Sequence, residues 1–351
     1  MKKLFQGARM DNRELEPLYD NGPITDGPVL PMPPDAETRR MCRLLPSRFY
    51  AGCLGWGFKN WLGSVYAPQS GMENLISEGL PAYAANPMFR CVCLERNYYR
   101  PYGVTELRML ASQVPDEFRF VMRSPMSITD PMIRDRYGKP LGRNPQFLSA
   151  EKASNDYLLL AERGLGNKLG PLIFEIAPFP KEDVKTYEAR EFIRERLATF
   201  FDELSLHNPF NRPLGLELRN PQLLTPLMVR LLRERKIRPV IGLHPSMPSA
   251  FRQLNAIRNY EDPEGKNSDW SFTGPMIVRW SKSAALSNTR FATTTGAEAN
   301  DPATRAVIAS LVLRAEKSGQ DSVVLIGNRA EGSAPETIRA LIEGIVRNRA
   351  R

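Results

Sequence analysis

Residues 214–243, LGLELRNPQLLTPLMVRLLRERKIRPVIGL, contain one complete repeat of a fold. Leu214 to Arg219 is a short apolar run ending in charge, as expected of a strand buried on both faces. Gln222 to Lys236 then places Leu223, Leu224, Leu227, Met228, Leu231 and Leu232 at helical spacing, which predicts an amphipathic helix. Arg238 to Leu243 is a second apolar run. Strand, helix and strand within about thirty residues make a βαβ unit, whose two strands are parallel because a crossover helix joins them.

The same alternation extends in both directions. Further strands are predicted at Phe49 to Leu54, Phe89 to Glu95, Phe118 to Arg123, Pro171 to Ala177, Met276 to Ser281 and Ser322 to Gly327. Helical patterns run over Val104 to Val114, Asp183 to Leu206, Pro302 to Lys317 and Pro335 to Arg347, the last two opening with proline at a favoured first-turn position. Eight strands alternating with helices over about 300 residues predict a single closed (β/α)8 TIM barrel of the α/β class, spanning residues 49–351. An open doubly wound sheet is the runner-up, weakened because no GxGxxG follows the first strand. Residues 1–48 carry Pro17, Pro23, Pro28, Pro31, Pro33, Pro34 and Pro46 with little apolar periodicity, and read as an extended proline-rich N-terminal arm available to a protein partner.

Composition narrows the function. The chain has 351 residues, 42% hydrophobic and 25% charged, ordinary usage for a globular protein with a buried core. No run approaches the roughly 18 apolar residues of a membrane span, and no secretory leader pattern is present, so the expected location is cytoplasmic with no membrane partner. The four cysteines do not suggest a disulfide framework, and with two histidines, His207 and His244, no HExxH zinc motif is possible. Lys and Arg exceed Asp and Glu by 48 to 39, a net +9 that favours anionic partners such as phosphates or nucleic acid.

In a barrel the functional side chains sit at the carboxyl ends of the strands. The predicted register brings Arg123, Arg219 and Arg279 together there as an anion cradle, since guanidinium forks match phosphate or carboxylate oxygens. Glu95, Glu175 and Glu217 join them as candidate catalytic carboxylates. With His244 they form a candidate ligand set for a divalent metal, Mg²⁺, Mn²⁺ or Zn²⁺, which would activate water toward a phosphodiester. The competing arrangement pairs each Glu with a neighbouring Arg and holds no metal. Asn328, Gly332 and Ser333 precede a helix start that suits a phosphate, or else form an ordinary serine cap. Trp56 and Tyr99 are expected to frame the site, and the long loop from Asp130 to Asn144, with Arg134, Arg136, Lys139 and Arg143, to form a basic flap.

A resemblance joins these segments. Gly52-Cys53-Leu54-Gly55-Trp56-Gly57-Phe58-Lys59-Asn60-Trp61, followed by Gly63, Tyr66 and Pro68, resembles the opening motif of the YecE-like domain-of-unknown-function family, which implies a TIM barrel. Phe89 through Tyr98-Tyr99-Arg100, Phe118-Arg119-Phe120 through Ile128-Thr129, Lys168 through Phe174, Glu217-Leu218-Arg219-Asn220-Pro221, Val278-Arg279, and Asn328 with Glu331 to Pro335 are similar to later motifs of that family. The chain departs from the family pattern at Cys93 and Glu95, Asp130, Glu175, Asn220 and Ser281, so that three family histidines are replaced. Two functions follow: a hydrolase acting on phosphodiesters or nucleic acid, or a non-catalytic barrel binding nucleic acid or protein after losing family active-site residues.

Overall fold

The structure is a computed structural model that describes residues 27–206, 212–267, 270–283 and 300–350. Residues 1–26 of the expected arm and His207 lie outside the described residues. The chain opens with helix α1 (Ala36–Arg43), strand β1 (Phe49–Cys53), α2 (Leu75–Ala84), β2 (Cys91–Leu94), α3 (Arg96–Tyr99), α4 (Val104–Ala111), β3 (Arg119–Arg123) and α5 (Met126–Thr129). A small hairpin, β4 (Met132–Arg134) and β5 (Pro140–Arg143), precedes α6 (Ala150–Ala153), α7 (Leu159–Leu165), β6 (Leu169–Ile176) and α8 (Tyr187–Leu206). The remainder is β7 (Leu214–Leu218), α9 (Pro226–Glu234), β8 (Arg238–Leu243), α10 (Ala250–Glu261), β9 (Met276–Trp280), α11 (Pro302–Lys317), β10 (Ser322–Ile326) and α12 (Ala334–Arg349).

Strands β1, β2, β3, β6, β7, β8, β9 and β10 close in that order into a parallel barrel, β1 pairing with both β2 and β10. The fold is the expected TIM barrel. Alternation along each strand divides the apolar residues into two clusters. Cys91, Cys93, Val121, Ile173, Val240, Ile277, Val323 and Leu325 fill the lumen. A larger cluster lies between strands and helices, where Phe174 of β6 meets Phe200 and Phe201 of α8 edge to face at 5.3 and 5.9 Å.

Two local expectations change. Residues 36–43 are helical rather than extended: Asp35 caps α1 by accepting from the Thr38 N–H at 2.7 Å, and Met41 and Cys42 are buried. The helix at 222–236 begins later, at Pro226 after a tight turn over Pro221–Leu223, with Thr225 accepting from the Met228 N–H. That shift in phase buries Val229 and leaves Leu224 and Leu227 half-buried. The loop from Asp130 to Asn144 folds as the β4–β5 hairpin, anchored by Arg134 on Asp130 and Arg143 on Asp183. No helix among the described residues is long and apolar enough to cross a membrane.

Candidate functional site

The barrel carries at its carboxyl end six charged side chains from five strand ends, those of β2, β3, β6, β7 and β9. Glu175 and Glu217 lie side by side because β6 and β7 pair in that register. Gly242, beside them on β8, leaves the space Glu217 occupies: a Cβ there would approach Glu217 Oε1 to 2.8 Å. Arg279 of β9 enters between the carboxylates, its Nη1 donating to Glu175 Oε2 at 2.6 Å and to both Glu217 oxygens at 3.2 Å. Its Nη2 donates to Glu95 at 2.9 and 3.0 Å. Arg123 bridges Glu95 at 3.1 Å and Glu175 at 2.8 Å, and Arg219 Nε donates to Glu175 at 2.9 Å. All six side chains are buried, Glu217 completely and Arg219 and Glu95 least, at 9% exposed.

Burial and charge act against one another here. For Glu95 burial raises proton affinity, but Arg279 and Arg123 outweigh it and hold the carboxyl below its ordinary value. Glu175, also desolvated, is driven further down by Arg123, Arg219 and Arg279. Glu217 goes the other way, since burial, reinforced by Glu175, exceeds the pull of Arg279 and Arg219 and holds its carboxyl above the ordinary range. Two adjacent carboxyl groups are thus pushed apart in acidity.

The expected metal ligand set does not assemble. Every carboxylate oxygen of Glu95, Glu175 and Glu217 already accepts an arginine N–H, and the guanidinium of Arg279 lies where those carboxylates converge. Among the described residues no group of three or more His, Cys, Asp or Glu side chains is arranged to hold a metal. Among the described residues His244 makes no hydrogen bond or ion pair with the carboxylates, its Nδ1 accepting the Ser246 N–H at 3.1 Å. Burial, then Arg219 and Lys282, lower its pKa to about 4, so at neutral pH it is a neutral imidazole carrying its proton on Nε2.

Several expected contacts lie elsewhere. Trp56 is 8% exposed and packs in the outer core, its indole N–H donating to the Ile76 carbonyl at 3.1 Å, so it does not frame the mouth. The Gly-Trp motif is a structural lock: Tyr66 donates to the Trp56 carbonyl at 2.5 Å, and fully buried Trp61 donates to Asn328 Oδ1 at 3.0 Å. Gly55 is required within it because its φ is +108°. Asn328 also accepts the Ala334 N–H at 3.0 Å, capping α12, while the Ser333 side chain makes no cap bond and is 4% exposed. Gly332, at φ +115°, turns this loop. Asn328, Gly332 and Ser333 therefore build the α12 entry, with the Asn328 carboxamide and a backbone turn taking the roles expected of an anion or a serine cap.

Tyr99 is exposed and stands edge-on to Tyr98, whose ring lies 3.5 Å from the Arg123 guanidinium carbon. Tyr98 is the aromatic that contacts the network. Tyr98 and Tyr99 are sequence neighbours on a four-residue helix, and only the phase of that helix separates their environments. Cys93 also joins the network, donating to Glu95 Oε1 at 3.1 Å; burial pushes its thiol pKa well up, so it is an unreactive core thiol.

A family model described as "Protein of unknown function DUF72" matches residues 50–350. A DUF72 family protein of Thermotoga maritima MSB8 superposes with a TM-score of 0.54 at 15% identity, covering 85% of this chain and 99% of that one. Another from Enterococcus faecalis V583 gives 0.53 at 15% identity, covering 85% and 95%. No curated protein matches. At these identities the structures support the fold alone, and the YecE-like resemblance read from the sequence is confirmed.

Proposed function

We infer the function of this chain, which belongs to the DUF72 family, from its barrel mouth: it binds a ligand bearing a phosphate or carboxylate group, with Arg219 as the contact cation. One observation carries the reading. Arg219 is held by its Nε edge on Glu175 and Glu217, while among the described residues its outer edge makes only a 3.5 Å contact from Nη1 to Ser281 Oγ. A guanidinium fixed on one side and short of partners on the other is arranged to receive an oxyanion in bidentate fashion. The neutral His244 supplies a second donor, since its Nε2 proton has no partner among the described residues. The network beneath fixes the position of Arg219, so ligand binding need not order it.

A buried ion network is a poor source of stability, because desolvation consumes most of its Coulombic gain. Its placement at the carboxyl ends of the strands, where barrel enzymes and binding barrels carry their sites, favours a functional reason for keeping it. The same network disfavours hydrolysis by its carboxylates, since each oxygen is already committed to an arginine.

Titration calorimetry with inorganic phosphate tests the proposal. Arg219→Ala is expected to weaken binding at least tenfold and Arg219→Lys to give an intermediate loss; unchanged affinity in Arg219→Ala would overturn it. Hydrolysis of bis(p-nitrophenyl) phosphate that vanishes in Glu217→Gln would replace the binding reading with a hydrolytic one.

A further inference from the structure

At the opposite end of the barrel, a cleft of about 730 Å³ opens between α1 and the amino ends of β1, β2 and β3. Its walls carry four arginines, Arg39 and Arg43 from α1, Arg90 before β2 and Arg119 at the start of β3, against a single acidic residue, Glu117. The half-buried pair is positioned by backbone carbonyls: Arg90 donates to Pro46 O and Ser47 O at 3.1 and 3.3 Å, and Arg119 to Asp116 O and Phe118 O at 2.7 and 3.0 Å. Arg39 donates to Pro34 O at 2.6 Å. Among the described residues none of the four is in an ion pair, in contrast to the neutralised arginines at the carboxyl end. Between them the floor is apolar and aromatic, with Tyr50, Phe89 and Phe118; the Arg119 guanidinium lies 5.8 Å from the Tyr50 ring centre.

We propose that this cleft is a second ligand site, specific for a small polyanion with a planar apolar body, the chemistry of a nucleoside polyphosphate. The volume lies within the range of small-molecule pockets and is too small to enclose a folded segment. A surplus of three guanidinium charges matches a polyphosphate rather than a single carboxylate, and carbonyl-positioned guanidiniums present forks to phosphate oxygens. The aromatic floor gives the planar part of such a ligand a surface that a bare polyphosphate would leave wet. Helix α1, outside the barrel proper, supplies two of the four cations, so this site depends on the segment that precedes β1.

The test is calorimetric titration of the full chain with ATP, tripolyphosphate and adenosine, paired with phenylglyoxal modification read peptide by peptide in a mass spectrometer. ATP is expected to bind at least tenfold more tightly than tripolyphosphate and to protect Arg39 and Arg43 from modification. The double variant Arg39→Gln/Arg43→Gln, which keeps much of each side-chain stem on the surface, is expected to weaken ATP binding at least tenfold with an unchanged unfolding temperature. Arg219→Ala is expected to leave Arg39 and Arg43 protection intact, which separates this site from the barrel mouth. Equal affinity for tripolyphosphate and ATP would overturn the planar-body specificity. Absence of protection at Arg39 and Arg43, or protection abolished by Arg219→Ala, would overturn the site.

Discussion

Glu217 and Glu175 show how position alone separates two identical side chains. They sit opposite one another on β7 and β6, yet Glu175 touches three guanidiniums whereas Glu217 is governed by burial. The signs of their pH effects are opposite. Glu175, with its native pKa lowered, binds fewer protons folded than unfolded near the ordinary carboxylate value, so its stabilisation is complete above that value and lost as pH falls through it. Glu217, with its pKa raised, binds its proton more tightly when folded; its contribution is complete below the ordinary value and lost as pH rises past the raised one. In urea unfolding across pH, Glu175→Gln should therefore flatten the acid limb below about pH 5. Glu217→Gln should remove a decline that wild type shows above about pH 4.3. Parallel pH profiles for wild type and both variants would contradict the assignment.

At the scale of elements, the Gly-Trp loop after β1 and the start of α12 are one assembly joined through a single carboxamide. Asn328 Oδ1 accepts from Trp61 Nε1 and from the Ala334 N–H, so Asn328→Ala leaves a buried indole donor and a helix-end amide without partners. The expected cost is about 2 kcal/mol, a cap and a buried bond together. Ser333→Ala, at the formal cap position but making no cap bond, should change stability by under about 0.5 kcal/mol. Chemical denaturation of both variants checks the contrast, and a larger loss in Ser333→Ala would mean that serine caps the helix after all. The motif aromatics were legible as a cluster after the first strand. Their inward direction was not, because the bonds of Trp56 to Ile76 and Trp61 to Asn328 join segments 20 and 267 residues apart.

On the scale of the whole molecule, α1 packs against α12 beside the amino end of the barrel. Met41, Cys42 and Leu45 are at most 7% exposed, and Arg349 at the end of α12 donates to Leu44 O. Deleting residues 1–45 is expected to cost about 2 to 4 kcal/mol of stability, the burial of roughly three apolar side chains, reduced by partial repacking. A loss below about 1 kcal/mol in urea titration would mean that α1 is an appendage and that the barrel is complete without it.

The sequence by itself determined the barrel. Eight apolar runs alternating with helical periodicity specify strands and crossover helices locally, and parallel closure follows from connectivity; the predicted strands match within a few residues at each end. It also located the six charged residues at one end, because alternation along a strand assigns each side chain a face. Only the tertiary structure decided what those charges do. Whether Glu95, Glu175 and Glu217 face a metal or three arginines depends on contacts such as that of Arg279 with Glu95, 184 residues away, and on a missing Cβ at Gly242. The basic cleft at the amino end was hidden for the same reason. Its four arginines come from three separated segments, and no local pattern records that a single acidic residue, Glu117, faces them.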